Sequence, residues 1–295
     1  MEAYTDFAEV YDELMDDTPY EEWCAFLMEI FRRYGVDDVS KRQENARTDT
    51  NVTNKNFENP LDAYGESAED NLWQERNTVL DLGCGTGTLT ELLARRGYDM
   101  IGVDNAEEML RIAMEKRERS GLDILYLLQD MRELELYGTV GTVVSVCDSL
   151  NYLLEEEDIV RTFERVNNYL YPQGIFIFDF NTVYKYAVVI GDATIAENRE
   201  DCSFIWENYY HAEREINEYD LTVFVAEGTL FRRFQEVHYQ RGYRLEQIKA
   251  LLTRAGLEFL EALDADTHGR VTKESERIYV VARKGAEIAA NQHLS

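Results

Sequence analysis

The stretch that most constrains this chain is Asp81-Leu82-Gly83-Cys84-Gly85-Thr86-Gly87. Thr78-Val79-Leu80 leads into it with strand-forming residues, and Leu89-Thr90-Glu91-Leu92-Leu93-Ala94-Arg95-Arg96 leaves it as a helix-favouring run that stops at Gly97. The local order is therefore strand, glycine turn, helix N-terminus. Glycine adopts positive φ and has no Cβ, so a ligand can approach such a turn closely. The first helical N–H groups lack partners within the helix, and its dipole favours an anionic group there.

The glycine spacing is G-x-G-x-G, with Thr88 where the G-x-G-x-x-G dinucleotide fingerprint would place its third glycine. The string Val79-Leu80-Asp81-Leu82-Gly83-Cys84-Gly85-Thr86-Gly87 resembles motif I of the class I S-adenosylmethionine (SAM)-dependent methyltransferases. The alternative is a glycine-rich βα turn that binds nothing. The resemblance implies an α/β fold, a Rossmann-like seven-stranded sheet with one antiparallel strand at its edge. It also implies SAM as cofactor, S-adenosylhomocysteine (SAH) as product, and no metal. It places Asp81, Gly83, Cys84, Gly85 and Gly87 beside the cofactor, Cys84 as a small packing residue. A side chain at Gly85 should collide with the ligand or with the turn itself.

Composition narrows the partners. The 295 residues carry a formal net charge of -28. So acidic a surface repels phosphate backbones, which argues against DNA, bulk RNA and anionic membranes. Cys24, Cys84, Cys147 and Cys202 are scattered without a C-x-x-C pair and read as reduced thiols. No apolar run approaches the ~20 residues of a bilayer span. The first residues are acidic, unlike the basic start of a signal peptide, so the expected location is cytoplasmic.

Along the chain, residues 1–40 read as a helical cap broken near Pro19, with apolar residues at helical spacing. The run Tyr4-x-x-Phe7-Ala8-x-x-Tyr11-Asp12-x-Leu14-Met15 resembles the N-terminal segment of small-molecule methyltransferases of the glycine N-methyltransferase and nucleotide-sugar N,N-dimethyltransferase groups. That resemblance implies a segment that closes over the cofactor, with Tyr4 and Tyr11 against its methionine part. Residues 41–77 are polar and read as a flexible insert anchored at Trp73.

Strand–helix alternation then sets out a SAM-binding core over 78–182 and 243–284. The second strand ends at Asp104-Asn105, about 20 residues beyond the turn, where an acidic side chain can accept hydrogen bonds from ribose hydroxyls. Asn105 could instead cap the following helix, which carries Met109; both join the cofactor-side set. By the family resemblance, Asp130 and Met131 read adenine after the third strand. Cys147 ends the fourth strand and joins the cofactor-side set. The loop after it, with Asp148 and Tyr152, is expected by chain position to face the methyl group, the alternatives being a helix cap for Asp148 and packing for Tyr152. Tyr171-Pro172-Gln173-Gly174 reads as a tight turn before the fifth strand.

Residues 183–242 lose this rhythm and alternate as antiparallel strands, an inserted substrate lid. Period-2 spacing puts Glu236, His238 and Gln240 on one face. Residues 285–295 read as a frayed tail. The chain is thus expected to methylate a small-molecule nitrogen or oxygen nucleophile. Tyr152 would position the acceptor, and His238, one of four histidines, would act as general base. A SAM- or SAH-binding module without turnover, and a protein or ribosomal RNA methyltransferase, are the alternatives.

Overall fold

The computed structural model describes Tyr4, residues 7–34 and residues 75–285. The expectations for 41–74, Trp73 included, and for the tail at 286–295 lie outside the described residues.

The sheet is built around β1 (Thr78–Leu82), buried along its whole length. Its parallel neighbours are β2 (Asp99–Asp104) and β4 (Val140–Ser145), with β3 (Ile124–Leu128) and β5 (Leu170–Asn181) beyond them. The full order is β10-β11-β5-β4-β1-β2-β3, with β10 at Leu257–Asp264 and β11 at Arg277–Lys284. Strand β11 is antiparallel to both its neighbours. The antiparallel strand therefore lies one place in from the edge rather than at it, because the β10–β11 hairpin inserts its second arm beside β5.

Helices cover both faces, which is why these strands read as apolar runs. On β1 and β5 alternate residues go to opposite layers. Leu80, Phe176 and Phe178 join Phe163 and Leu252, whereas Val79, Ile175 and Ile177 join Leu27, Phe31 and Leu93. The covering helices are α2 (Tyr20–Arg33), α3 (Thr88–Arg95), α4 (Glu107–Ser120), α5 (Glu156–Tyr169) and α6 (Leu245–Arg254), while α1 (Ala8–Leu14) packs elsewhere. The break between α1 and α2 falls at Pro19, which directly precedes the first turn of α2. Among the described residues no helix is long and apolar enough to cross a membrane.

The expected turn at 171–174 is instead looped out within β5. Pairing with β4 jumps from Val140↔Leu170 to Thr142↔Ile175, and Gln173 takes φ 69°. Between β5 and α6 the chain first makes a short π-helical turn, Lys185–Ile190. It then forms a second, wholly antiparallel sheet of β6 (Thr194–Asn198), β7 (Cys202–His211), β8 (Ile216–Glu227) and β9 (Leu230–Arg241). Leu221, Val223 and Cys202 of this sheet pack against Val10 of α1. Helix α1 also touches the core sheet's ligand end: Asp12 accepts a hydrogen bond from the Thr86 hydroxyl at 2.5 Å and pairs with Lys116 at 2.8 Å. One short helix thus joins the inserted sheet to the glycine turn.

Candidate active site

A cleft of about 940 Å³ opens at the carboxyl ends of β1 to β4. Parallel sheets leave their binding crevice there because the strand-to-helix loops meet at that end.

From β1 and its turn, Asp81, Gly83, Cys84 and Gly85 line the cleft. The glycines differ in what they do. A Cβ at Gly83 would sit 2.6 Å from the Ser149 Oγ, so this glycine lets the β1 and β4 loops touch. A Cβ at Gly85 (φ +54°) meets nothing within 4 Å, so no protein atom opposes it there; the left-handed backbone and a bound ligand would. Gly87 is outside the lining; it starts α3, and a side chain there would run into Tyr126.

Asp81 is buried, and its Oδ2 accepts from the Thr90 hydroxyl at 2.6 Å. Burial pushes its carboxyl up to about 7, the Thr90 hydrogen bond opposes this, and Asp104 adds to it. In the ligand-free protein the proton on Asp81 stabilises the fold fully below the ordinary value of 3.8, and that stability is lost as pH rises through about 7. Going from about pH 6 to about pH 8 should cost roughly 1 kcal/mol on this account. Urea unfolding at the two pH values should show that drop in the wild type and not in Asp81→Asn; equal drops in both would remove Asp81 as the cause.

At the end of β2, Asp104 uses both carboxylate oxygens. Oδ2 accepts from the Gly85 N–H at 2.8 Å, and Oδ1 from the Ala106 N–H at 2.9 Å. It therefore joins the glycine turn to Ala106, the residue before α4. Neither its side chain nor that of Asn105, which could have taken the cap, caps that helix. Asn105 stands exposed on the cleft wall. Met109 is buried and lines the cleft, packed with Ala8, Tyr4 and Tyr11. A carboxylate offers about four acceptor positions, so Asp104 retains capacity for a diol.

Asp130 and Met131 line the cleft after β3. Both oxygens of Asp130 are held by Arg132, with contacts down to 2.6 Å, and these hydrogen bonds keep its carboxyl below the usual range. Arg132 also reaches Asp158. The sequence reading missed this clamp, although an Asp-x-Arg spacing was visible.

The loop after β4 carries the most constrained backbone. Cys147 (φ 66°) and Asp148 (φ 55°) are consecutive left-handed residues without being glycine. Their N–H groups both donate to the buried Asp179, at 3.0 and 2.7 Å. Arg277 lies 3.5 Å from Asp179 and 3.6 Å from Asp148, over the Trp23 ring. Cys147 lines the cleft, and burial pushes its thiol up to about 12. Asp148 does not line it: its carboxylate turns to Gln240, which donates at 2.7 Å. Asn151 ties the loop to β5 and β9 through the carbonyls of Asn181 and Arg241.

Tyr152 ends this loop on the cleft wall. Its hydroxyl lies 2.7 Å from that of Tyr4, 2.8 Å from that of Tyr219 and 3.1 Å from Nδ1 of His238. Burial keeps the Tyr152 phenol well above its ordinary value, so it stays protonated near neutrality. Tyr4, Tyr11, Tyr20 and Glu9 close the same side from the N-terminal segment.

Glu236, His238 and Gln240 do share the inward face of β9, and all three are buried. His238, expected to face the reacting group, is outside the cleft lining. It stacks on Tyr219, with ring centroids 4.9 Å apart and planes 6° apart, and meets the cleft through Tyr152 and the ring of Tyr4. The reason is packing: the Tyr4 and Tyr152 rings stand between it and the opening. Glu236 was not singled out from the sequence, though its place in the period-2 pattern marked it as inward-facing.

Comparison with known proteins agrees with this geometry. A family model described as a methyltransferase domain matches residues 79–174. YqeM of Bacillus subtilis (strain 168), whose name proposes a methyltransferase and specifies no acceptor, is 33% identical over 97% of this chain and 99% of its own length. The crystal structure of an S-adenosylmethionine-dependent methyltransferase from Clostridium acetobutylicum ATCC 824 superposes with TM-score 0.76 at 27% identity, covering 97% of this chain and 100% of that one. A Streptomyces venezuelae dTDP-3-amino-3,4,6-trideoxy-alpha-D-glucopyranose N,N-dimethyltransferase is 27% identical over 66% of this chain and 81% of its own. By near-full-length relatedness and by the class I sheet built around its glycine turn, the chain belongs to the SAM-dependent methyltransferases.

Proposed function

We propose that this methyltransferase acts on a small molecule bearing a nitrogen or oxygen nucleophile, with SAH as the second product. The observation that carries the reading is the enclosure of Tyr152: its hydroxyl is bound at once by Tyr4 of the N-terminal segment and by Tyr219 and His238 of the inserted sheet. An acceptor site roofed in this way suits a metabolite better than a protein or RNA surface.

The residues fit SAM. Asp81 is a buried carboxylate whose charge an ammonium group would stabilise. Gly85 leaves its Cβ side open, and Asp104 keeps acceptor capacity for ribose hydroxyls. Asp130 and Met131 would border adenine, with the Asp130 carboxylate reached alongside its Arg132 partner. When bound, SAM supplies an electrophilic sulfonium methyl. What the chain must then do is align the nucleophile, exclude water and take up a proton where one is released. In this role Tyr152 orients the acceptor by hydrogen bonding, and His238 sits behind it as the next proton-accepting group. Helix α1 and the inserted sheet exclude water.

Charge narrows the acceptor class. Glu9, Asp81, Asp104, Glu107, Glu108 and Asp130 line the cleft, and Arg132 is the one cation among the described lining residues. A neutral or cationic acceptor is favoured over a phosphorylated one.

Titration calorimetry should show SAM and SAH binding with NAD inert. Gly85→Ala should weaken both ligands at least about tenfold, because the added methyl faces the ligand side and alanine strains the left-handed turn, which costs about 1 kcal/mol of stability in the free protein as well. NAD binding in place of SAM would overturn the cofactor reading. Screening neutral and cationic amine and hydroxyl metabolites with labelled SAM then identifies the acceptor. Binding without transfer to any of them would favour a SAM-sensing module.

A further inference from the structure

We infer that Glu236 is a positioning residue that latches the N-terminal segment over the cleft and ties that closure to the Tyr152–His238 pair. The inference rests on the proposed cofactor cleft for its ligand readout, and on geometry alone for its structural one.

Glu236 lies on β9 with 4% of its surface exposed. One oxygen accepts from the Tyr4 N–H at 2.7 Å, the other from the Phe7 N–H at 2.9 Å. These bonds span more than 220 residues of sequence, and they fix Tyr4 and Phe7 ahead of α1. Tyr4 takes a left-handed backbone (φ 62°), a conformation that a tyrosine holds only when its surroundings enforce it. Glu236 supplies that constraint by accepting the N–H of Tyr4 itself.

The same carboxylate lies 3.3 Å from Nε2 of His238, within ion-pair distance although Nε2 makes no hydrogen bond, and the other ring nitrogen faces the Tyr152 hydroxyl. With the segment down, the Tyr4 hydroxyl completes the set around Tyr152. The Tyr152 oxygen has one proton and two lone pairs, and Tyr4, Tyr219 and His238 fill all three positions. An acceptor that hydrogen-bonds Tyr152 must displace one of them. Tyr219 and His238 are strand residues inside a sheet, whereas Tyr4 hangs on the segment that Glu236 holds. Release at Glu236 therefore frees the Tyr152 position, and relatching restores the enclosure. Tyr4, Glu9 and Tyr11 also line the cleft, so a cofactor bound beneath them is retained by the same latch.

The test compares wild type with Glu236→Gln, which cannot present acceptor oxygens to both N–H groups. Amide hydrogen exchange should accelerate about tenfold or more at Tyr4 and Phe7, with strands β8 and β9 unchanged, because hydrogen bonds to a charged acceptor are lost. Dissociation of labelled SAH, chased with excess unlabelled SAH, should quicken by a similar factor. Glu236→Asp, which keeps the charge but withdraws it by one methylene, gives an intermediate effect and serves as the variant of record if the Gln protein does not fold. Unchanged exchange at Tyr4 and Phe7 in a folded variant overturns the latch. If SAH does not bind the wild type, the cofactor reading fails, and the exchange measurement still decides the latch.

Discussion

Asp179→Ala should lower the unfolding free energy by about 3–5 kcal/mol, the scale of breaking a buried ion pair and stranding its partners. Asp179 has no exposed surface. Its removal leaves the Cys147 and Asp148 N–H groups without their acceptor, and takes from Arg277 the nearer of its two carboxylates. Burial disfavours charge on both Arg277 and Asp179; Asp179 and Asp148 together outweigh this for the guanidinium and hold it charged. The two left-handed residues cost about 1–3 kcal/mol each and persist only because their surroundings over-determine them. Asp179→Asn keeps one acceptor and should lose less. Equilibrium urea denaturation followed by circular dichroism measures both. A loss under about 1 kcal/mol for the Ala variant would mean the turn holds its shape without this carboxylate.

The second large effect is on the cofactor. Asp104→Asn should weaken SAM by about tenfold to a hundredfold, corresponding to roughly 1.5–3 kcal/mol. The substitution preserves shape but replaces one acceptor oxygen by an NH₂ donor. That donor must face either the Gly85 N–H or the Ala106 N–H, each of which now donates to a carboxylate oxygen. The turn loosens, and the charge-assisted contact to a ribose diol is lost with it. Calorimetry on the folded variant reads the change. An unchanged dissociation constant would leave Asp104 as a backbone staple with no part in holding ribose.

How much of this was legible follows from the range of the interactions. The β1–turn–α3 unit was readable because strand propensity, glycine conformational freedom and helix periodicity are local properties of residues 78–97. The same holds for the alternation of Glu236, His238 and Gln240, whose shared inward face is a two-residue period. Asp104 was found by distance along the chain, but its double use was not, because the Gly85 N–H comes from another strand's loop. The position of β11, one in from the edge, depends on hairpin insertion, and nothing local distinguishes that from an edge strand. His238 was misplaced for a related reason. Titration range marks a residue as capable of proton transfer, whereas reach is decided by which rings pack in front of it, here Tyr4 and Tyr152. Asp179 and Arg277 are almost 100 residues apart, and the strained turn they secure showed only as an ordinary Cys-Asp pair.

The acidic lining of the cleft has a kinetic consequence. Methyl transfer turns a cofactor with a net positive charge into a neutral one, while Glu9, Glu107, Glu108 and their neighbours remain anionic. Long-range attraction therefore acts on the incoming cofactor and vanishes for the spent one before any contact is broken. With SAM in this cleft as proposed, the lining would act as a ratchet on occupancy: it would speed capture of fresh cofactor and give the used form no electrostatic reason to linger. Rising ionic strength should narrow that difference between the two ligands, since screening removes the asymmetry at its source.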